Sequence, residues 1–152
     1  MRCRRRRARG SARLRALPVT RFPIQVEARY RLLLRLFGVG PTNAYVDVGD
    51  DLDASFGRYR VRTPLANIVG WRIEGPWHAI TAVGVRRSIR HGDLTFGGTA
   101  RGGVRVDFRE RVRFTFFTIP ALYVTVEDLE GLAATLADRG IPGEDARTRK
   151  LD

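Results

Sequence analysis

Residues 104–116, VRVDFRERVRFTF, constrain the fold of this chain more than any other stretch. The even positions are apolar except for Glu110, and the odd positions from Arg105 to Arg113 are arginines except for Asp107. Successive side chains of a strand point to opposite faces, so this stretch predicts one long strand with an apolar face and a cationic face. Glu110 breaks the apolar phase, which predicts a bulge or a bend at that residue.

The cationic face of this strand has two interpretations. In the first, it is the outer face of a half-buried strand, and acids such as Asp47 or Glu74 on neighbouring strands neutralise it. We expect this one, because rows of surface charge are usually solvated and paired. In the second, it binds an anionic ligand. The candidate ligand-binding residues are then five arginines: Arg101, Arg105, Arg109, Arg111 and Arg113.

Several shorter runs also alternate between apolar and polar residues. Glycine-containing turns separate them, which is typical of β-hairpins in a meander. The expected strands are residues 22–27, 43–49, 52–56, 59–63, 68–74, 94–96 and 121–126.

A short N-terminal helix is predicted over residues 28–37. Tyr30, Leu33, Leu34 and Phe37 follow helical spacing there, and glycines stop the pattern. We expect this helix to pack on a sheet, and a membrane-surface helix is the alternative.

A C-terminal helix follows the last expected strand. Thr125 with Asp128 forms a weak capping box, and Gly140 with Pro142 ends the helix. The apolar face of the helix consists of Leu129, Leu132, Ala133 and Leu136.

These elements predict a mainly β (α+β) domain over residues 19–142. We expect a bent antiparallel sheet or a partly open barrel, closed by the C-terminal helix. Residues 143–152 are expected to be a polar tail. A chain of 152 residues is long enough for one independent core.

Residues 1–18 contain eight arginines and no acid. We expect this segment to be a disordered tail, because so many like charges repel each other. It is an arm for nucleic acid or an acidic membrane, a solvated tail without such a role, or an artefact of the start site, with Val19 as the true first residue. Outside it, 20 basic residues face 16 acidic ones, so the remainder is only mildly basic.

Catalytic and metal-binding patterns are weak, and we expect neither a cofactor nor a metal. The aspartates around residue 50 lack the spacing of a calcium loop, and His78 and His91 are thirteen residues apart without other ligands nearby. Cys3 is the only cysteine, so no disulfide forms within the chain. No apolar run reaches the length of a membrane span, and we expect a cytoplasmic protein.

Four segments resemble a family of actinobacterial proteins of unknown function: residues 63–68 (TPLANI), 74–76 (EGP), 94–96 (LTF) and 101–110 (RGGVRVDFRE). The run of strands that ends in a single helix also resembles bacterial pleckstrin-homology-like domains. Neither resemblance implies catalytic residues. We therefore expect a non-catalytic binding or scaffolding module for a protein partner or an anionic group. A nucleic-acid-binding protein that uses the tail and the arginine face is the alternative, and a small enzyme with an internal pocket is the third possibility.

Overall fold

The computed structural model describes residues 18–76, 83–88 and 91–147. Strands dominate this part of the chain, which confirms the mainly β class. The expected disorder of the N-terminal tail falls on residues that are not described, apart from Pro18, and so does His78.

The first sheet is an antiparallel meander in the order β1-β2-β3-β4. Its strands are β1 (Thr20–Pro23), β2 (Ala44–Val48), β3 (Asp51–Phe56) and β4 (Tyr59–Pro64). The tight turn between β3 and β4 needs glycine at position 57, because φ is +65° there and a Cβ would lie 2.5 Å from the carbonyl oxygen of Phe37. The predicted hairpins of this region are confirmed.

The second sheet has six strands in the order β10-β5-β8-β9-β7-β6. They are β5 (Ile68–Glu74), β6 (Gly84–Arg87), β7 (Leu94–Gly97), β8 (Gly103–Phe114), β9 (Phe117–Val124) and β10 (Gly143–Asp145). The β7–β9 and β10–β5 pairs are parallel, so the prediction of one antiparallel sheet is corrected to one antiparallel and one mixed sheet. Strand β10 also corrects the tail expected over residues 143–152, of which residues 148–152 are not described.

The core lies between the two sheets. Phe96 of β7 is fully buried, and its ring stacks on Phe56 of β3 with centroids 5.5 Å apart. Single β-bridges, Ile24 with Val126 and Val26 with Gly98, join the chain beyond β1 to the second sheet. Within the described residues neither sheet closes into a barrel.

Helix α2 (Leu129–Asp138) lies against the second sheet and buries Leu132, Ala133 and Leu136. The predicted C-terminal helix is therefore found, but its cap is different. The side chain of Asp128 accepts a hydrogen bond from the Gly131 N–H at 2.9 Å. Thr125 is instead buried, and its hydroxyl accepts from the Gly98 N–H at 2.9 Å.

Helix α1 (Arg31–Arg35) follows a 3-10 turn at Ala28–Tyr30 and is shorter than the expected helix over residues 28–37. Leu34 is its only buried residue, whereas Leu33, which we assigned to the buried face, is 49% exposed. Among the described helices, neither is long and apolar enough to cross a membrane.

The break predicted at Glu110 is present. The pairing of β8 with β9 shifts register between Asp107 and Val112, and that of β5 with β8 shifts between Ile68 and Gly70. Asn67 stabilises this bulge, because its side-chain amide donates to the Glu110 carbonyl at 3.0 Å and accepts from the Glu110 N–H at 2.8 Å. One side chain thus pairs both backbone groups of Glu110, which lies where the register shifts.

Asn67→Ala is expected to lower the free energy of unfolding by about 1–2 kcal/mol, because it removes both hydrogen bonds to Glu110. Asn67→Asp keeps the acceptor for the Glu110 N–H but sets a carboxylate oxygen against the Glu110 carbonyl oxygen, so a loss at least as large is expected. Urea denaturation of both variants measures the effect. Wild-type stability in Asn67→Ala would show that the amide does not support the bulge.

Candidate anion-binding surface

Strand β8 has the two faces that its sequence predicts. Val104, Val106, Phe108 and Phe114 are buried, as expected for the even positions. Phe116 was expected on the same apolar face, but it lies in the β8–β9 turn and is 100% exposed. The apolar face therefore ends where the strand ends.

Arg105 is neutralised within the sheet. Its guanidinium pairs with Asp93, and its Nε donates to Asp107 at 2.9 Å. Burial lowers the pKa of Arg105, but the Asp107 hydrogen bond and the charges of Asp93, Asp107 and Glu74 outweigh it, so the pKa is raised. This arginine behaves as our first interpretation expects.

Arg101 lies in the loop between β7 and β8, where its guanidinium is 3.5 Å from the carboxylate of Glu27. A strand rises about 3.3 Å per residue, so the length of β8 separates Arg101 from the opposite end of the strand. The structure thus does not bring all five candidate arginines into one site.

Arg109, Arg111 and Arg113 are exposed and, within the described residues, form no ion pair with a carboxylate. Arg111 donates to the hydroxyl and the carbonyl oxygen of Thr118 on β9, both at 3.0 Å. Arg113 lies directly opposite Thr118 in the ladder. Arg111 and Arg113 therefore flank the same residue near the end of the hairpin.

The acids that we expected to neutralise this row are used elsewhere. Asp47 accepts a hydrogen bond from Arg21 at 2.8 Å, and Glu74 lies 3.5 Å from Arg72. Among the described residues neither acid forms an ion pair with an arginine of β8, although the charge of Glu74 contributes to the raised pKa of Arg105.

Arg87 of β6 joins this cluster, although no pattern in the sequence points to it. Its guanidinium lies 4.4 Å from the centre of the Phe117 ring. One nitrogen each of Arg87 and Arg111 lies 3.7 and 3.5 Å from the point that a Cβ would occupy at Gly92. We call Arg87, Arg111 and Arg113 the tip arginines, and Arg109 lies two residues before Arg111.

A groove of about 360 Å³ lies between α1 and the first sheet. Apolar side chains such as Ile24 and Leu34 line it, together with Arg31, Arg35 and Glu127. The buried polar side chains in the described part of the chain are hydroxyls: Ser55, Thr63, Thr99 and Thr125. One carboxylate oxygen of Asp93 is also buried, without a hydrogen-bond partner among the described residues, but Asp93 pairs with Arg105 and does not line the groove.

The tip arginines can hold an anion by charge and by directed N–H donors. Guanidinium groups bind carboxylates and phosphates strongly because their planar donors match the oxygen pairs of these groups. No family model, curated protein or solved structure is significantly similar to this chain. The resemblance to an actinobacterial family and to pleckstrin-homology-like domains thus stays a prediction.

Proposed function

We propose that this domain is a non-catalytic binding module that holds an anionic group against the tip arginines. The observation that carries the proposal is the exposed position of Arg111 and Arg113 without an acidic partner among the described residues. Both guanidiniums keep their charge, and Arg111 uses only its Nε and one terminal nitrogen for Thr118, so N–H donors remain for a ligand. The adjacent Arg109 adds a third exposed charge.

The first sheet supports this interpretation by comparison. There, Arg21, Arg60 and Arg62 pair with Asp47, Asp53 and Asp51 across neighbouring strands. The arginines of the first sheet are thus neutralised, whereas in the second sheet Arg109, Arg111 and Arg113 have no carboxylate partner among the described residues. The difference favours a binding role for the second row.

The type of domain and its location in the cell are inferred from the sequence alone. We keep the pleckstrin-homology-like resemblance and a cytoplasmic location as proposals, and a protein partner with an acidic surface is a further possible source of the anionic group. Arg101 and Arg105 are weaker candidates than the tip arginines, since both have carboxylates beside them.

Arg111→Ala combined with Arg113→Ala is expected to lower the affinity of the full chain for heparin by about tenfold and to flatten its salt dependence. The matched control is Arg60→Ala with Arg62→Ala, which removes the same formal charge from arginines that already pair with Asp53 and Asp51. Affinity of the control is expected to stay close to wild type. Isothermal titration calorimetry at two salt concentrations makes the comparison.

Equal losses in the two double variants would mean that net charge rather than a site governs binding, which contradicts the proposal. The eight arginines in residues 1–18 favour nucleic-acid binding as a second candidate function. A short DNA duplex bound by the full chain, released by deletion of residues 1–17 and unaffected by the Arg111 and Arg113 substitutions, would support that candidate instead.

A further inference from the structure

Helix α1 exposes most of its apolar surface. Leu32 is 79% exposed, Leu36 just after the helix is 76% exposed, and Leu33 is 49% exposed. Single exposed apolar residues are common in proteins, whereas three within five residues form a patch. The helix thus presents leucines outward although one residue, Leu34, attaches it to the core.

The tip of the β8–β9 hairpin carries a second exposed apolar group. Phe116 is fully exposed in a two-residue turn, where Thr115 adopts φ of +52°. Glycine and polar residues are preferred in such a turn, and the turn does not require an aromatic ring. The phenyl ring of Phe116 therefore has no role in the packing of this fold.

These two apolar features lie at the same end of the domain, around the β3–β4 turn. The Arg58 N–H in that turn donates to the carbonyl oxygen of Phe37, just beyond α1, at 3.4 Å. The neighbouring Tyr59 packs on Phe114 with ring centroids 5.9 Å apart, and Phe114 pairs with Phe117 at the base of the tip. We call this end of the molecule, with α1 and the hairpin tip, the apolar end.

The chain around both features is cationic. Residues 28–46 and 111–126 contain no aspartate or glutamate. Arg31 and Arg35 are exposed beside the leucines, and Glu127 lines the same groove as these two arginines, whereas Arg29 pairs with Glu27 at 3.4 Å. At the hairpin, Arg87 lies over the Phe117 ring and Arg113 lies opposite Thr118. Exposed apolar side chains are thus interleaved with positive charges throughout the apolar end.

This interleaving fits a lipid surface better than a protein surface. The core of a protein–protein interface is depleted of charge and forms a continuous patch. At a bilayer surface, leucine and phenylalanine enter the acyl boundary while arginines reach the anionic head groups around them. Projecting groups on a hairpin tip and a short helix suit such shallow insertion.

We propose that the apolar end docks on a bilayer containing anionic phospholipids, with Leu32, Leu36 and Phe116 inserted and the tip arginines on the head-group phosphates. This inference rests on the proposed function, because it names a lipid head group as the anionic group. Each arginine near an anionic membrane contributes about a fivefold gain in affinity, so the cluster and the apolar contacts together suffice for reversible binding.

Co-sedimentation of the full chain with vesicles tests the inference. Phosphatidylcholine vesicles with phosphatidylglycerol are expected to bind the protein, and pure phosphatidylcholine vesicles are not. Leu32→Ser with Leu36→Ser, and separately Phe116→Ser, are expected to weaken vesicle binding about tenfold or more. The control Val69→Ser, an equally apolar change at a 42% exposed position on β5, is expected to have no effect.

Heparin binding, measured on the same proteins, separates the two proposals. The serine variants are expected to bind heparin like wild type, because they remove no charge. Wild-type vesicle binding by both serine variants, or no vesicle binding at all, would overturn the membrane inference and leave the proposed function intact. A dimer in analytical ultracentrifugation that Leu32→Ser with Leu36→Ser dissociates would also overturn it, in favour of a second copy as occupant. Unchanged heparin binding in the Arg111 and Arg113 variant would overturn the proposed function itself.

Discussion

Phe96→Ala is expected to lower the free energy of unfolding by about 3–5 kcal/mol, because it opens a large cavity between the two sheets. The Phe96 ring is fully buried and contacts Phe56 and Phe114, with centroids 5.5 and 6.0 Å away. Aromatic contacts of this kind add to the transfer free energy of the ring. Urea denaturation monitored by circular dichroism measures the loss.

The same substitution at Phe116 is the matched control. Its ring is 100% exposed, so Phe116→Ala is expected to change the stability by less than about 0.5 kcal/mol. Similar losses in the two variants would mean that the stacking between β3 and β7 does not form the centre of the core.

Leu136→Ala is expected to cost about 2–5 kcal/mol of unfolding free energy. Leu136 is completely buried where α2 packs on the second sheet. Leu32→Ala on α1 makes the identical change at a position that is 79% exposed, and about 0.5 kcal/mol or less is expected. Guanidinium chloride melts of the two variants provide the comparison.

A loss below about 0.5 kcal/mol in Leu136→Ala would show that α2 is not docked on the sheet. A large loss in Leu32→Ala would contradict the exposure of α1, and with it the geometric basis of the membrane inference. The pair thus checks both helices with one chemical change.

Local patterns in the sequence predicted the local elements. Strand β8, the hairpins of the first sheet and the buried face of α2 follow from residues within ten positions of each other, where alternation and helical spacing are visible. Strand β10 and the parallel β7–β9 pair were not predicted, because pairing between distant segments leaves no local pattern. Thr125 was misassigned for the same reason, since its partner Gly98 is 27 residues away.

The candidate site was predicted in part. Alternation along β8 identified Arg111 and Arg113, but it did not distinguish them from Arg105, whose partner Asp93 is twelve residues away. Arg87 enters the cluster through the order of three strands, which no spacing in the sequence encodes. The exposure of the α1 leucines was not predicted, because helical spacing shows which residues share a face but not whether another element packs on that face.

The contacts between residues 23–25 and residues 125–127 determine when this fold can be completed. The Gln25 N–H donates to the carbonyl oxygen of Thr125, and the Glu127 N–H donates to that of Pro23. About a hundred residues lie between these partners, so either bond forms only at the entropic cost of closing a loop of that length. During synthesis the β1–β4 meander can pair early from local contacts, but its buried face stays uncovered until β7 and β8 have left the ribosome, because these strands supply Phe96 and Phe114. A nascent chain of this protein therefore exposes the buried face of the meander while residues 65–114 are being synthesised.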